Sequence, residues 1–266
     1  MKVLQLCHKP PQPSVDGGCI AINNITKGFI ENGVDVKVLT IGTKKHPFHK
    51  KHFSDDYLST TNIESVFVDT KINLVDAFSS LVTSDSYNIS RFFSTDFDIL
   101  LRKTLEANAY DIIHLESLFM TPYVHTIRRF SSAKVVLRSH NLEYMIWQRL
   151  SVAPANPAKK VYLKILAQQL KKYETNILSS IDGIASISSQ DQNKYMELGC
   201  TKPMITLPFG ISLKAYNTVT DLKGKKVNEF NLFHIGAMDW KPNMEGISWF
   251  IEEVWPYILK ENPDFE

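Results

Sequence analysis

Lys2-Val-Leu-Gln-Leu-Cys7 leads into a Pro-rich loop that closes on Asp16-Gly-Gly18, and a segment with helical spacing follows. This opening decides the fold. A short apolar run bounded by a loop fits a strand buried on both faces of a parallel sheet. In the segment 19–32, Ile20, Ile22, Ile25, Phe29 and Ile30 recur at helical spacing, and Asn32-Gly33 is a C-cap signal. Asp35-Val-Lys-Val-Leu-Thr-Ile41 then reads as a second strand.

The same alternation continues along the chain. Strands are expected at Ile63 to Val68, Asp111 to Leu115, Lys134 to Arg138, Asp182 to Ile187 and Met204 to Leu207. Helices are expected through most of 71–109, over 121–130 with Pro122 in the first turn, over 158–180, and over 190–198 capped by Ser188/Ser189. Segments of this kind in alternation predict an α/β fold with a Rossmann-like, doubly wound, mostly parallel sheet. Residues 1–211 form one domain on this reading, and the polar, Lys-rich stretch 212–229 is a linker. Residues 230–266 then supply a strand, Asn231 to Gly236, and an amphipathic helix from Lys241 that carries Trp249, Phe250, Val254, Trp255, Ile258 and Leu259. A lone βα unit cannot cover its own sheet faces, so these residues are expected to open a second, incomplete domain.

Composition removes several classes of function. The chain has 266 residues, 44% apolar and 22% charged, with a net charge of +2, which predicts no nucleic-acid partner. Cys7, Cys19 and Cys200 are too few and too scattered for a disulfide framework or a zinc site, which fits a reducing cytoplasm. No stretch approaches the ~20 apolar residues of a membrane span, and peripheral contact with a membrane stays open.

In a doubly wound sheet, ligands bind beyond the carboxyl ends of the strands. That rule selects the ends at Leu6, Leu115, Arg138 and Ile187. Gly17 and Gly18 would let backbone approach a ligand at a helix N-terminus, or would simply form a turn. Ser139-His140-Asn-Leu-Glu143 follows a strand directly, so His140 should project into the crevice, with Glu143 near enough to orient an imidazole or hold a hydroxyl; position alone equally fits a surface-loop histidine bonded to nearby backbone. Glu116 lies just past the neighbouring strand, whereas His114 inside it reads as a satisfied core residue. His46, His49 and His52 stand three apart among lysines, which would repel a cation, so an exposed basic loop is preferred to a metal site. Lys159, Lys160, Lys164, Lys171 and Lys172 oppose Ile165, Leu166 and Leu170 on one helix, a solvated face over a core face rather than a membrane-lying one.

Taken in order, six stretches resemble one family. They are the Gly17-Gly18 loop, Asp111-Ile-Ile-His-Leu-Glu116, Arg138-Ser-His-Asn-Leu-Glu143, Asp182-Gly-Ile-Ala-Ser-Ile-Ser-Ser189, Leu207-Pro-Phe-Gly-Ile211 and Ile235-Gly-Ala-Met-Asp-Trp-Lys-Pro-Asn243. They are similar to glycosyltransferases of the GT-B fold, in the large retaining family 4, and the last is similar to a bacterial branch that makes cell-surface polysaccharides. The resemblance implies two Rossmann-like domains across a cleft, an acceptor-side N-terminal domain (1–211) and a donor-binding C-terminal one begun at 230. It implies a nucleotide-diphosphate sugar as donor, no metal or other cofactor, and a glycan or lipid-linked acceptor at the inner face of the cytoplasmic membrane. His140 matches a histidine beside the transferred sugar, Gly17 and Gly18 would approach donor phosphates or sugar, and Glu116, Arg138 and Glu143 would be supporting or acceptor-side residues.

There are departures from the family pattern. Relatives often place Arg after the glycine equivalent to Gly236 and Lys before the next helix, where this chain has Ala237 and Asn243. Glu245 and Glu253 match the family's E-x7-E only by chance, since that motif lies late in the donor domain. The expectation is therefore the acceptor-side part of a transferase with little activity by itself, needing a donor-binding domain in cis or in trans. The alternatives are a non-catalytic glycan- or partner-binding module, or half of a split enzyme. A nicotinamide-dependent oxidoreductase is disfavoured, because no G-x-G-x-x-G follows the first strand.

Overall fold

The computed structural model describes residues 1–71, 86–152, 156–211, 232–238 and 241–265. Its strands are β1 (Lys2–Cys7), β2 (Asp35–Gly42), β3 (Glu64–Phe67), β4 (Ile112–Glu116), β5 (Lys134–Ser139), β6 (Gly183–Ser186) and β7 (Met204–Thr206). They form one sheet in the order β3-β2-β1-β4-β5-β6-β7, with every neighbouring pair parallel. From β1 the chain winds outward to β3, then returns to the other side of β1 and winds outward to β7. The direction reverses between β1 and β4, and the crevice at their carboxyl ends is where such sheets take ligands.

Local sequence sets the helix ends. Asp16 caps α1 (Gly17–Glu31) by accepting from the Cys19 N–H, and the helix stops at Asn32, followed by Gly33 at φ +71°. Ser54 caps α2 (Asp55–Thr61), which Asn62 ends in the left-handed conformation. A short helix α3 (Tyr87–Ser90) precedes α4 (Thr95–Ala107), which packs on the sheet through Phe97, Leu101 and Leu105. The expected helix over 121–130 is a 3₁₀ stretch over Leu118–Tyr123, with Pro122 inside it, that passes into α5 (Val124–Phe130). Beyond β5 come α6 (Glu143–Leu150) and α7 (Pro157–Ile177); Asn156 caps α7 and Pro157 occupies its first turn. The α7 helix turns Leu163, Leu166 and Leu170 inward, each stabilising by roughly 2 kcal/mol, while Lys159, Lys164, Lys171 and Lys172 face solvent. Ser188 caps α8 (Ser189–Glu197).

Strand alternation splits the core between the two faces. One face carries Leu4, Leu6, Ile113, Leu115, Val135 and Leu137 against Phe97, Tyr123, Ile127, Leu170 and Tyr195. The other carries Val3, Cys7, Val36 and Val38 against Ile22 of α1 and Tyr57 of α2. Among the described residues, no helix is long and apolar enough to cross a membrane.

The chain divides into two compact units, Met1–Ile211 and Ser212–Glu266. In the second unit, residues 212–231 lie outside the described residues, as do residues 72–85 of the expected helical stretch in the first. Residues 232–235 correct the expectation of a buried strand. They are unpaired, and Leu232, Phe233 and Ile235 are exposed. An apolar run becomes a strand only by hydrogen bonding to a neighbour, and no neighbour is present among the described residues. The helix does form, as α9 (Lys241–Trp249), a π-helical turn over Phe250–Val254 and α10 (Trp255–Glu261).

Candidate active site

Glu116 closes β4 and is 0% exposed. The ladder sets it beside Cys7 of β1 and Arg138 of β5, so these side chains leave the sheet face that α1 covers. A carboxylate buried without partners is costly, and here the partners converge. Gln5 Nε2 donates to Oε1 at 3.0 Å, His114 Nε2 to Oε1 at 3.0 Å and His140 Nε2 to Oε2 at 2.9 Å. Arg138 Nε lies 3.7 Å from Oε2. Burial pushes the Glu116 pKa up, but His114 and His140 outweigh it and hold the carboxyl well below the usual carboxylate range.

An ionised Glu116 can only accept, so both imidazoles present Nε2–H to it. His140 Nδ1 then points away from Glu116 and has no hydrogen-bond partner among the described residues. A histidine fixed in this way by a buried carboxylate can hold, or exchange a proton with, a hydroxyl at that nitrogen. The support reaches into α1, where Thr26 Oγ1 lies 2.7 Å from Gln5 Oε1.

His8, the first residue beyond β1, adds a second imidazole. Its Nδ1 is 2.8 Å from the Glu116 carbonyl oxygen, which accepts only, so His8 donates there. Burial, reinforced by His140 and Lys9, drives its pKa down to about 3 and keeps it neutral. Its ring lies 5.7 Å from Phe119 and 5.9 Å from His140. The cover comes from the strap 207–211 beyond β7. Leu207 N–H donates to Ser186 O at 2.7 Å, and Asn24 Nδ2 of α1 donates to Gly210 O at 2.6 Å. Between these ties the Phe209 ring stands 5.7 Å from the His140 ring and 5.5 Å from Arg138 Cζ.

Glu143 goes elsewhere. The carboxylate that orients His140 is Glu116, because Glu143 opens α6 and its side chain bonds Asn141. The Glu143 and Tyr144 N–H groups donate to Glu174 of α7 at 3.1 and 3.0 Å. Burial raises Glu143 to about 7 and Glu174 to about 8, and the Glu143 carboxyl further discourages ionisation of Glu174.

Gly17 and Gly18 form the first turn of α1, whose N–H groups have no intrahelical acceptor. Nothing stands near Gly17, whereas a Cβ on Gly18 would run into the end of Lys9. Lys9 Nζ binds Asp16 at 2.8 and 2.9 Å, and His46 Nε2 binds it at 2.8 Å. Burial works against ionisation of Asp16, but His46 and Lys9 hold its pKa far below the usual value. Asp16, Cys19 and His46 are the described residues with metal-ligand spacing. The carboxylate is already saturated, though, and burial pushes the Cys19 thiol up to about 11, so the trio works as a braced helix cap. His46 is accordingly half-buried, while Lys44, Lys45, Pro47 and His49 around it form the expected exposed loop.

Fold and site together define a Rossmann-like domain with a carboxylate–histidine cluster at its switch point. A family-wide profile, Glycosyltransferase Family 4, matches residues 15–215, and the chain belongs to that family. It is 26% identical over 174 residues to an uncharacterised 44.6 kDa protein in the cps region of Klebsiella pneumoniae, a match covering 62% of this chain and 40% of that protein. Among solved structures it is similar to sucrose-phosphate synthase of Thermosynechococcus elongatus, with a TM-score of 0.50 and 14% identity. That match covers 80% of this chain and 49% of the other.

Sequence reasoning missed His8, Gln5 and the place of His114 in the cluster. Applied to the residue right after β1, the strand-end rule finds His8. The other two depend on cross-strand register, which no local pattern reports.

Proposed function

We propose that this chain carries the acceptor-side domain of a retaining glycosyltransferase. The whole protein transfers a sugar from a nucleotide-diphosphate sugar to a glycan or lipid-linked acceptor, in assembly of bacterial cell-surface polysaccharide at the inner face of the cytoplasmic membrane. The observation that carries this reading is the His140–Glu116 pair at the switch point of a family 4 chain. In such a transfer the reacting carbon becomes oxocarbenium-like while charge builds on the departing diphosphate. Fixed dipoles therefore count most in the transition state. The open first turn at Gly17 and Gly18 supplies N–H dipoles, and His140 Nδ1 holds a hydroxyl of the transferred sugar. The setting in a cps region is a property of the Klebsiella relative and is the ground for the polysaccharide role.

The test uses the full-length gene product that contains this chain, incubated with labelled nucleotide sugars and membrane glycolipid extract. His140→Ala is expected to lower transfer by about 100-fold or more while leaving the circular dichroism spectrum unchanged. Unaltered turnover would remove His140 from the site, and glycan binding without any transfer by the wild type would favour a binding module instead.

A further inference from the structure

Arg138 is 0% exposed, and among the described residues none of its Nε, Nη1 or Nη2 atoms has a hydrogen-bond partner. Buried polar groups are almost always bonded, and a guanidinium offers five N–H donors in a fixed fork that matches carboxylate or phosphate oxygens. Its nearest charge, Glu116, is 3.7 Å from Nε and already accepts from Gln5, His114 and His140. What covers Arg138 includes the ring of Phe209, itself 46% exposed and carried on a strap tied at Ser186 and Asn24. Such a cover can move without breaking the sheet.

We propose that Arg138 is an anion-binding residue of this site, taking a phosphate or sugar-carboxylate oxygen when Phe209 swings off its guanidinium. The side chain adjoins His140, so the anion belongs to the substrate that His140 meets. The inference rests on the proposed function only for that assignment, since anion binding itself requires no transfer.

The experiment titrates the 266-residue protein by calorimetry at constant ionic strength with sodium phosphate, sodium glucuronate and neutral glucose. Phe209→Ala removes the cover and is expected to tighten anion binding by about tenfold, because the competent state no longer has to be opened first. Phe209→Ala/Arg138→Lys keeps the charge, loses the fork, and is expected to lose that gain. Phosphate-selective or glucuronate-selective binding would each support the proposal and identify the source of the anion. Phenylglyoxal labelling followed by mass spectrometry gives a second readout: Arg138 should react slowly in the wild type, quickly in Phe209→Ala, and slowly again with anion present. Equal anion affinity in all three proteins, saturable binding of glucose alone, or an Arg138 that stays unreactive in Phe209→Ala would overturn it. Anion binding here, together with no transfer by the full-length gene product, keeps this inference and loses the preceding one.

Discussion

Glu116 and Glu174 are both 0% exposed, and each accepts hydrogen bonds on both carboxylate oxygens, yet their pKa values move in opposite directions. Glu116 meets two imidazoles, an amide and, slightly farther off, a guanidinium. Glu174 meets two backbone N–H groups at the start of α6, with the Glu143 carboxyl close by. The comparison teaches that backbone dipoles alone do not offset desolvation when a second carboxyl shares the site, whereas donors that are themselves cations or polarisable rings do. One glutamate is therefore a fixed charge around which a site is built, and the other holds a proton across neutrality.

The largest expected effect comes from breaking the first member of the pair. Glu116→Ala strands a buried guanidinium and two imidazoles, and it should cost about 3–5 kcal/mol in urea unfolding of the full chain. A loss below 1 kcal/mol would mean that the cluster is wet and loosely held. The two carboxylates also predict opposite limbs of the pH–stability curve. Glu116 is depressed, so its contribution is present above 4.5 and lost as pH falls below that value. Glu174 is raised, so the folded state binds the proton more tightly; its contribution is complete below 4.5 and is lost as pH climbs to about 8. Glu174→Gln should flatten the decline between 4.5 and 8, leaving the part due to Glu143, and unfolding midpoints measured across that range decide it. If the mutant declines as steeply as the wild type, the pair does not hold the proton. The smallest effect belongs to a third carboxylate, only half-buried. Asp16→Ala removes a helix cap braced by Lys9 and His46, and should cost about 1 kcal/mol by thermal or urea unfolding.

Much of the fold can be read from the chain because parallel strands are apolar throughout and helices announce their ends. Asn32-Gly33 and Ser188 both mark boundaries where the structure has them. Short helices were harder. The α2 helix is a single short polar run, Asp55–Thr61, and α6 depends for its start on Glu174, thirty residues further along the chain. At 232–235 an apolar pattern misled, since hydrophobicity records a wish to be covered and not the presence of a partner strand. His140 and Glu116 were legible as strand-end residues; that Glu116, rather than Glu143, holds His140 was not, because it depends on β4 lying beside β5.

The pairing of Glu116 with Arg138 across the β4–β5 ladder has a consequence for folding as well as for chemistry. Side chains alternate between faces along a strand, so a slip of one residue would carry Glu116 to the opposite side of the sheet, away from Gln5 and α1. The imidazole of His140 therefore experiences its native neighbour only in molecules whose central strands are in correct alignment. Its proton resonance would serve as a built-in reporter during refolding, reading out completion of long-range strand alignment rather than of helix content.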